Sequence, residues 1–143
     1  MQLLLRILLS SVMLVGLTGC VGGSQTAESE PAIAPPDAET LALGQKQFKY
    51  KCAACHSMEA GENSLFGPHL SGIVGRQIGT LADYSFTEIV ADHDFVWTRQ
   101  RLDDWLFDPQ TMVPEMCMPF LGLRNPTQRL ALLRYLEFAE VAK

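Results

Sequence analysis

The first regular pattern of apolar residues begins near residue 40. In the segment 40–51 (TLALGQKQFKYK), Leu41, Gly44 and Phe48 recur at i, i+3 and i+7, which predicts a helix with Asp37 as its N-cap. Glycine inside a helix costs roughly 1 kcal/mol relative to alanine. We therefore expect Gly44 to let another part of the backbone come close to this helix.

Two later segments show the same helical period. One begins at the capping residue Thr98 and is stopped by Asp108-Pro109, and the other opens at Asn125-Pro126 with a cap and an N1 proline. Their apolar faces are predicted to be Leu102, Trp105 and Leu106 in the first, and Leu130, Leu133 and Leu136 in the second.

The rest of the chain after residue 51 predicts little regular structure. A short helix is expected at 86–92, whereas the glycine-rich segment 58–79 predicts a loop and the segment 109–122 predicts extended or loop structure. No segment alternates convincingly as a strand, so the fold class is mainly α and rich in loops. Roughly a hundred residues organised in this way bury little apolar surface by themselves, which implies that another component fills the centre.

The N-terminus has the composition of an export signal. Arg6 precedes an apolar run from Ile7 to Leu17, which is too short to remain as a membrane span. Leu17-Thr18-Gly19-Cys20 resembles the bacterial lipobox, which predicts a lipoprotein signal peptide at 1–19 and lipid attachment at Cys20. The alternative is an ordinary cleaved signal with an incidental cysteine.

Residues 20–39 predict a flexible, lipid-attached tether in front of a single domain at 40–143. The segment is rich in Gly, Ser, Ala, Pro and acidic residues, and it has no hydrophobic period. The nineteen residues after Cys20 give a root-mean-square reach of roughly 25 Å, or about 60 Å when fully stretched. These features predict an exported bacterial lipoprotein that is anchored to a membrane and faces the periplasm.

Charge excludes one class of partner. The chain has 11 basic and 16 acidic residues, and removal of 1–19 takes away Arg6 and leaves 10 against 16. There is no cluster of Lys or Arg, so nucleic acid is not an expected partner.

The strongest motif is Cys52-Ala-Ala-Cys55-His56, the Cys-x-x-Cys-His signature of covalent c-type haem attachment. Two thiols one helical turn apart reach the two vinyl groups of one porphyrin edge, and the following histidine lies under the iron as an axial ligand. This spacing predicts one haem c, bound through Cys52 and Cys55, with His56 on the metal.

Three other interpretations of the motif are weaker. A zinc site requires a second Cys/His pair of suitable spacing, and a thioredoxin-like pair requires a helix after it in a βαβ unit. A structural disulfide suits an oxidising compartment but leaves His56 and the missing core unexplained.

The sixth ligand of the iron stays open on local sequence alone. The segment 114–120 (PEMCMPF) contains three sulfur side chains, and two further histidines lie elsewhere. The candidates are therefore Met116, Cys117, Met118, His69 and His93. Met118 precedes Pro119, so its backbone favours the extended conformation of a loop that crosses a haem face.

Residues 67–76 (GPHLSGIVGR) resemble the GPxLxGxxGR loop of class I cytochromes c of the mitochondrial and related bacterial type. The resemblance runs from about Gly44 to the C-terminus and includes the Leu-x-x-Tyr-Leu segment at 132–136. It implies a small single-haem fold in which the N- and C-terminal helices pack together and loops wrap the haem. The family pattern P-x-x-x-M-x-F-x-G, here starting at Pro114, implies that Met118 is the second axial ligand.

The resemblance also implies roles around the haem. The carbonyl of Pro68 would accept the hydrogen bond of the ligand histidine, and Trp97, Arg76 and Tyr84 would bind the propionates. Trp105 stands where many relatives carry a tyrosine that bonds the axial sulfur, so a change there should shift the reduction potential. His69 is expected to be structural, His93 solvated, and Cys117 a surface thiol without a role.

A haem iron with His and Met ligands has no open position, which favours a one-electron carrier over an enzyme. Expected partners are a cytochrome bc complex, a terminal oxidase, a photosynthetic reaction centre or a dehydrogenase. Few lysines surround the expected haem edge, and an apolar contact patch is predicted instead, consisting of Leu65, Phe66, Met112, Val113 and Met116. The alternatives are a fixed haem subunit of a periplasmic dehydrogenase and a haem enzyme or gas sensor.

Overall fold

A computed structural model of the chain describes residues 34–62 and 66–139. The predictions for the signal peptide, Cys20, most of the tether and Leu65 fall outside these ranges. The described residues form five helices, which are α1 (Ala38–Lys51), α2 (Glu88–Ala91), α3 (Arg99–Phe107), α4 (Pro109–Met112) and α5 (Pro126–Phe138). Within these ranges the only β-type pairing is an isolated antiparallel bridge between Gln77 and Val96, so the mainly α fold class is confirmed.

The three longer helices begin with the side-chain caps that the sequence predicts. The Asp37 carboxylate accepts a hydrogen bond from the Thr40 N–H at 2.7 Å, and α1 begins two residues before the predicted start. Thr98 and Asn125 cap α3 and α5 in the same way. Each cap satisfies a backbone N–H that would otherwise have no partner in the first turn.

The N- and C-terminal helices cross at Gly44, which is buried. A Cβ built on Gly44 would overlap the carbonyl oxygen of Ala131 and would lie 2.6 Å from the Cβ of Tyr135. The Phe48 and Tyr135 rings lie beside this crossing, with their centroids 5.5 Å apart. The predicted close approach of another backbone to Gly44 is therefore confirmed, and its partner is α5.

The buried face of α5 differs from the prediction at one position. Leu133 and Leu136 are buried as expected, but Leu130 is 54% exposed and Leu132 is fully buried instead. The leucine stripe at i, i+3 and i+6 was consistent with burial, but the crossing with α1 at Ala131 rotates Leu130 toward solvent.

The segment 109–122 is not entirely loop, because Pro109–Met112 forms the short helix α4. Pro109 at the first position of α4 both ends α3 and begins α4, and the prediction recognised only the first of these effects. Val113, which follows α4, has an exposed fraction of 0%, so its assignment to a surface patch was wrong. Phe66 is 77% exposed, as a contact residue should be.

None of the helices in the described ranges has the length and apolar character needed to span a bilayer.

Candidate haem site

The Cys-x-x-Cys-His motif forms a tight turn at the end of α1. The Cys52 N–H still donates to the Phe48 carbonyl at 2.8 Å, as in a helix. The Cys52 carbonyl then accepts from the N–H groups of both Cys55 and His56 at 2.9 Å. The local hydrogen bonds therefore fix all three residues of the motif relative to the core around Phe48.

Burial raises the pKa of the Cys52 thiol to about 11. The nearby positive charge of Lys51 opposes this shift but does not cancel it. A site of this kind disfavours a thiolate and accepts an uncharged sulfur, such as a thioether.

His56 is oriented by one hydrogen bond. Its Nδ1 lies 2.8 Å from the carbonyl oxygen of Pro68. A carbonyl only accepts, so Nδ1 carries the proton and Nε2 keeps a lone pair for a metal. Burial lowers the pKa of His56 despite this bond, which favours the neutral imidazole that metal ligation requires.

Gly67 makes room for the imidazole ring. A Cβ at this position would overlap Cε1 of His56 and would lie 2.7 Å from Nδ1. The glycine before Pro68 is therefore required by contact with the ligand side chain. Gly67 belongs to the GPHLSGIVGR segment, but the sequence alone indicated no role for it.

His56 and Met118 line the same cavity, which has a volume of about 160 Å³. Its described lining residues are His56, Phe66, Gly67, Pro68, Tyr84, Ser85, Phe86, Thr87, Val90, Met116, Cys117 and Met118. A second cavity of about 80 Å³ shares Pro68, Phe86 and Val90 as walls and extends to Arg76, Trp97 and Trp105. The two adjoining cavities thus bring together the predicted iron ligands and most of the residues predicted to surround a haem.

The residues present fit a haem with two axial ligands. The cavity offers an imidazole with a free Nε2 lone pair and a thioether, which together are a known axial pair for haem iron. A larger groove of about 510 Å³ lies along α1, but neither His56 nor Met118 lines it. Its larger volume is therefore not evidence for a haem site there.

Two tryptophans form a wall of the second cavity. The rings of Trp97 and Trp105 meet edge to face, with centroids 5.0 Å apart, and Phe95 packs on Trp97 in the same way at 4.9 Å. Trp97 is buried with an exposed fraction of 7%. This geometry fixes the plane of Trp105, the residue predicted to lie near the axial sulfur.

Arg76 has an additional role that the sequence did not predict. Its two terminal nitrogens donate to the carbonyls of His69 at 3.0 Å and Ser71 at 3.2 Å. Arg76 therefore stabilises the loop that carries Pro68, in addition to lining the second cavity. Its predicted contact with a propionate stays a prediction, as does that of Tyr84, whose ring packs against Phe86 at 4.9 Å.

The other candidate ligands are placed differently. Neither His69 nor His93 is among the described residues that line the cavity containing Met118. His69 is 6% exposed, and the His93 ring lies 6.0 Å from the ring of Phe95. Cys117 and Met116 do line the cavity, and Cys117 is exposed to solvent. Phe86 and Val90 were not predicted as cavity walls, because only tertiary contacts bring the region of α2 against Pro68.

Comparisons with known proteins identify the family. The Cytochrome c family profile matches residues 41–138. The cytochrome c of Nigella damascena is 41% identical over 96 residues, covering 67% of this chain and 86% of that protein. The cytochrome c of Guizotia abyssinica is 39% identical over 94 residues, with 66% and 85% covered. That of Sesamum indicum is 38% identical over 106 residues, with 74% and 94% covered.

The profile and the motif agree on the same part of the chain. Residues 41–138 include the Cys-x-x-Cys-His turn, both cavities and the crossing of α1 with α5. The chain therefore belongs to the cytochrome c family, as a haem-based electron carrier rather than an enzyme, with haem c attached through Cys52 and Cys55.

Proposed function

We propose that the protein is a membrane-tethered, periplasm-facing one-electron carrier whose iron is held by His56 and Met118. It exchanges electrons between respiratory or photosynthetic complexes, such as a cytochrome bc complex, a terminal oxidase, a reaction centre or a dehydrogenase. The observation that carries the ligand assignment is the shared cavity of His56 and Met118, in which the Pro68 carbonyl fixes the tautomer of His56.

When bound, the haem supplies one-electron chemistry at its iron. His56 and Met118 would hold the iron, which would leave no position for a substrate. Trp97 and Trp105 exclude water from one side of the site, and Pro68 holds the proton on Nδ1 of His56. Apolar walls and a thioether ligand would favour the less charged reduced iron, which would raise the potential toward that of respiratory carriers.

The test of the ligand pair is the visible spectrum of the ferric holoprotein. Methionine sulfur on Fe(III) gives a weak far-red band, which we expect in the wild type and not in Met118→Ala. Met116→Ala is the matched control, because Met116 is a thioether in the same loop that lines the same cavity. Loss of the band in Met116→Ala but not in Met118→Ala would refute the assignment.

Attachment to a membrane rests on the lipobox-like segment before Cys20 and is tested separately. We expect the wild-type protein in the membrane fraction and Cys20→Ser in the soluble periplasmic fraction, with the same visible spectrum. Mass spectrometry of the mature N-terminus would show the lipid directly. A wild-type protein that is soluble and carries no lipid would refute the tether.

A second candidate function is a fixed haem subunit of a periplasmic dehydrogenase. It is favoured by two large apolar side chains, Phe66 at 77% and Leu121 at 87% exposure, which a permanent interface would cover. Purification in mild detergent discriminates between the two. A carrier purifies alone, whereas a fixed subunit purifies in a constant ratio with its enzyme.

A further inference from the structure

A buried ion cluster joins α3, α5 and the start of the described chain. The carboxylate of Glu137 is shared between two arginines, contacting Nε of Arg99 and accepting from Arg134 at 2.6 Å. The side chains of Glu137 and Arg134 are only 8% and 11% exposed. Buried charges of this kind are tolerated when they are paired with one another and hydrogen-bonded to the surrounding backbone.

Arg134 also contacts the N-terminal segment. Its second terminal nitrogen donates to the carbonyl oxygen of Ala34, one hundred residues away in sequence. The Arg134 guanidinium in addition lies over the ring of Phe138, 4.5 Å from the ring centroid. The backbone at Ala34 is thus fixed against α5 four residues before α1 begins.

Beside this contact lies a cavity of about 270 Å³ between α3 and α5. Its lining residues are Arg99, Gln100, Asp103, Leu130, Leu133, Arg134 and Glu137. Leu130 is the half-exposed leucine of α5, and Leu133 is buried below it. The cavity therefore has an apolar side, formed by two leucines, and a charged side that includes the ion cluster.

The sequence offers an occupant next to this cavity. Ala34 is the first described residue, and its carbonyl is held by Arg134, so the segment that precedes it is attached to the domain beside this cavity. Ile33 is the one large apolar residue between Val21 and Leu41. We propose that residues 31–33 dock in the cavity between α3 and α5, with the Ile33 side chain covering Leu130 and Leu133.

This docking changes the length of the tether. Because Ala34 is already held by Arg134, docking would move the end of the free segment after Cys20 from near residue 33 to near residue 30, and its root-mean-square reach would fall from roughly 20 Å to roughly 18 Å. The docked segment would also fix where the tether leaves the domain, and hence which face turns toward the membrane. This consequence rests on the lipid attachment proposed above, whereas the docking itself does not.

Amide hydrogen exchange on the mature holoprotein tests the proposal. We expect the amide of Ile33 to exchange at least about tenfold more slowly than that of Ala27, which lies in the same segment. Ile33→Ser and Leu130→Ser should each abolish the protection at residue 33, and Val21→Ser should leave it unchanged. An unprotected Ile33 amide in the wild type would overturn the proposal, as would protection that appears only when another protein is added.

Thermal unfolding of the same variants gives a second measurement. Ile33→Ser and Leu130→Ser should each lower the midpoint, and the double variant should lower it no further than the larger single effect. Additive shifts would mean that the two side chains do not touch, and would overturn the docking. Leu130 is exposed on α5, so its substitution preserves the fold, and the far-red band should persist in every variant. That persistence separates this test from the test of the iron ligands.

Discussion

Gly44 of α1 and Ala131 of α5 approach so closely that no Cβ fits between them. The space beside the Gly44 Cα of α1 is occupied by the carbonyl oxygen of Ala131 in α5. The Cβ of Tyr135 lies next to the same space. The glycine is thus required by the crossing of the two terminal helices, and the crossing in turn holds the Cys52 turn at the end of α1.

Gly44→Ala tests this relationship. Alanine favours the helix by roughly 1 kcal/mol, but overpacking a rigid contact costs about 1–3 kcal/mol. Because the nearest atom is backbone, the cost should lie at the upper end of this range, about 3 kcal/mol, and we expect a net loss of about 2 kcal/mol in unfolding free energy, measured by guanidinium titration of the holoprotein. Gln45→Ala on the exposed side of α1 is the control and should change it by less than about 0.5 kcal/mol. A stabilised Gly44→Ala would contradict the close packing.

Gly67→Ala should disturb the iron ligand without unfolding the domain. The added methyl group would overlap the His56 ring, which would have to turn away from the Pro68 carbonyl. We expect an altered ferric spectrum and a higher pH midpoint for loss of the His56–iron bond in acid, because a weakened bond competes less well with protonation of the imidazole. Gly61→Ala is a suitable control, because a Cβ there meets no atom within 4 Å, although its φ of 79° makes the substitution strained. Gly67 does not have a positive φ, so the Gly61 variant tests whether backbone strain elsewhere can alter the spectrum. Equal spectral effects in both variants would contradict a specific contact of residue 67 with His56.

The parts of this structure that were predictable are local. The caps Asp37, Thr98 and Asn125 bond within their own first turns, so residue type and spacing were sufficient to place them. The haem motif was equally clear because its three functional residues lie within five consecutive positions. Gly44 was informative because glycine is costly in a helix and therefore implies a contact.

The parts that were missed depend on contacts between distant segments. The exposure of Leu130 is set by how α1 crosses α5, and the burial of Val113 by the turn that α4 introduces. The spacing of Arg134 and Glu137 suggests an ion pair on a helix, but nothing in the sequence indicates that it is buried or that Arg99 and Ala34 join it. Likewise, Phe86 and Val90 become cavity walls only in the folded chain.

The shared carboxylate of Glu137 should be important for stability. Glu137→Gln would leave Arg99 and Arg134 with a neutral partner in a largely buried site, and removal of one partner from a buried ion pair costs about 3 kcal/mol. Asp108→Asn is the matched control, because Asp108 also pairs with an arginine, Arg124 at 3.2 Å, but on the surface. It should cost at most about 1 kcal/mol. Equal losses in chemical denaturation would show that burial of the Glu137 cluster is unimportant.

Trp105 should influence the reduction potential through exclusion of water. Trp105→Ala would open the wall that Trp105 forms with Trp97 and Pro68, and water stabilises the more highly charged ferric state. We expect the midpoint potential in a redox titration to fall by roughly 60 mV, equivalent to about tenfold in the one-electron equilibrium. Trp105→Phe keeps most of the bulk and should shift it less. Equal shifts in Trp105→Phe and Trp105→Ala would assign the effect to the indole N–H, which both variants lack, instead of to the bulk of the ring.

Electron transfer to a membrane partner should depend only modestly on salt. Among the described residues all three lysines lie on α1, and Arg124 near the Met118 loop already pairs with Asp108, so steering by charge is weak. The proposed tether compensates by raising the effective concentration of the carrier at the membrane. We expect the rate to fall by less than about tenfold while added salt shortens the Debye length from about 30 Å to 3 Å. In Cys20→Ser the rate should become proportional to protein concentration, and a steep loss with salt in the tethered form would refute the weak steering.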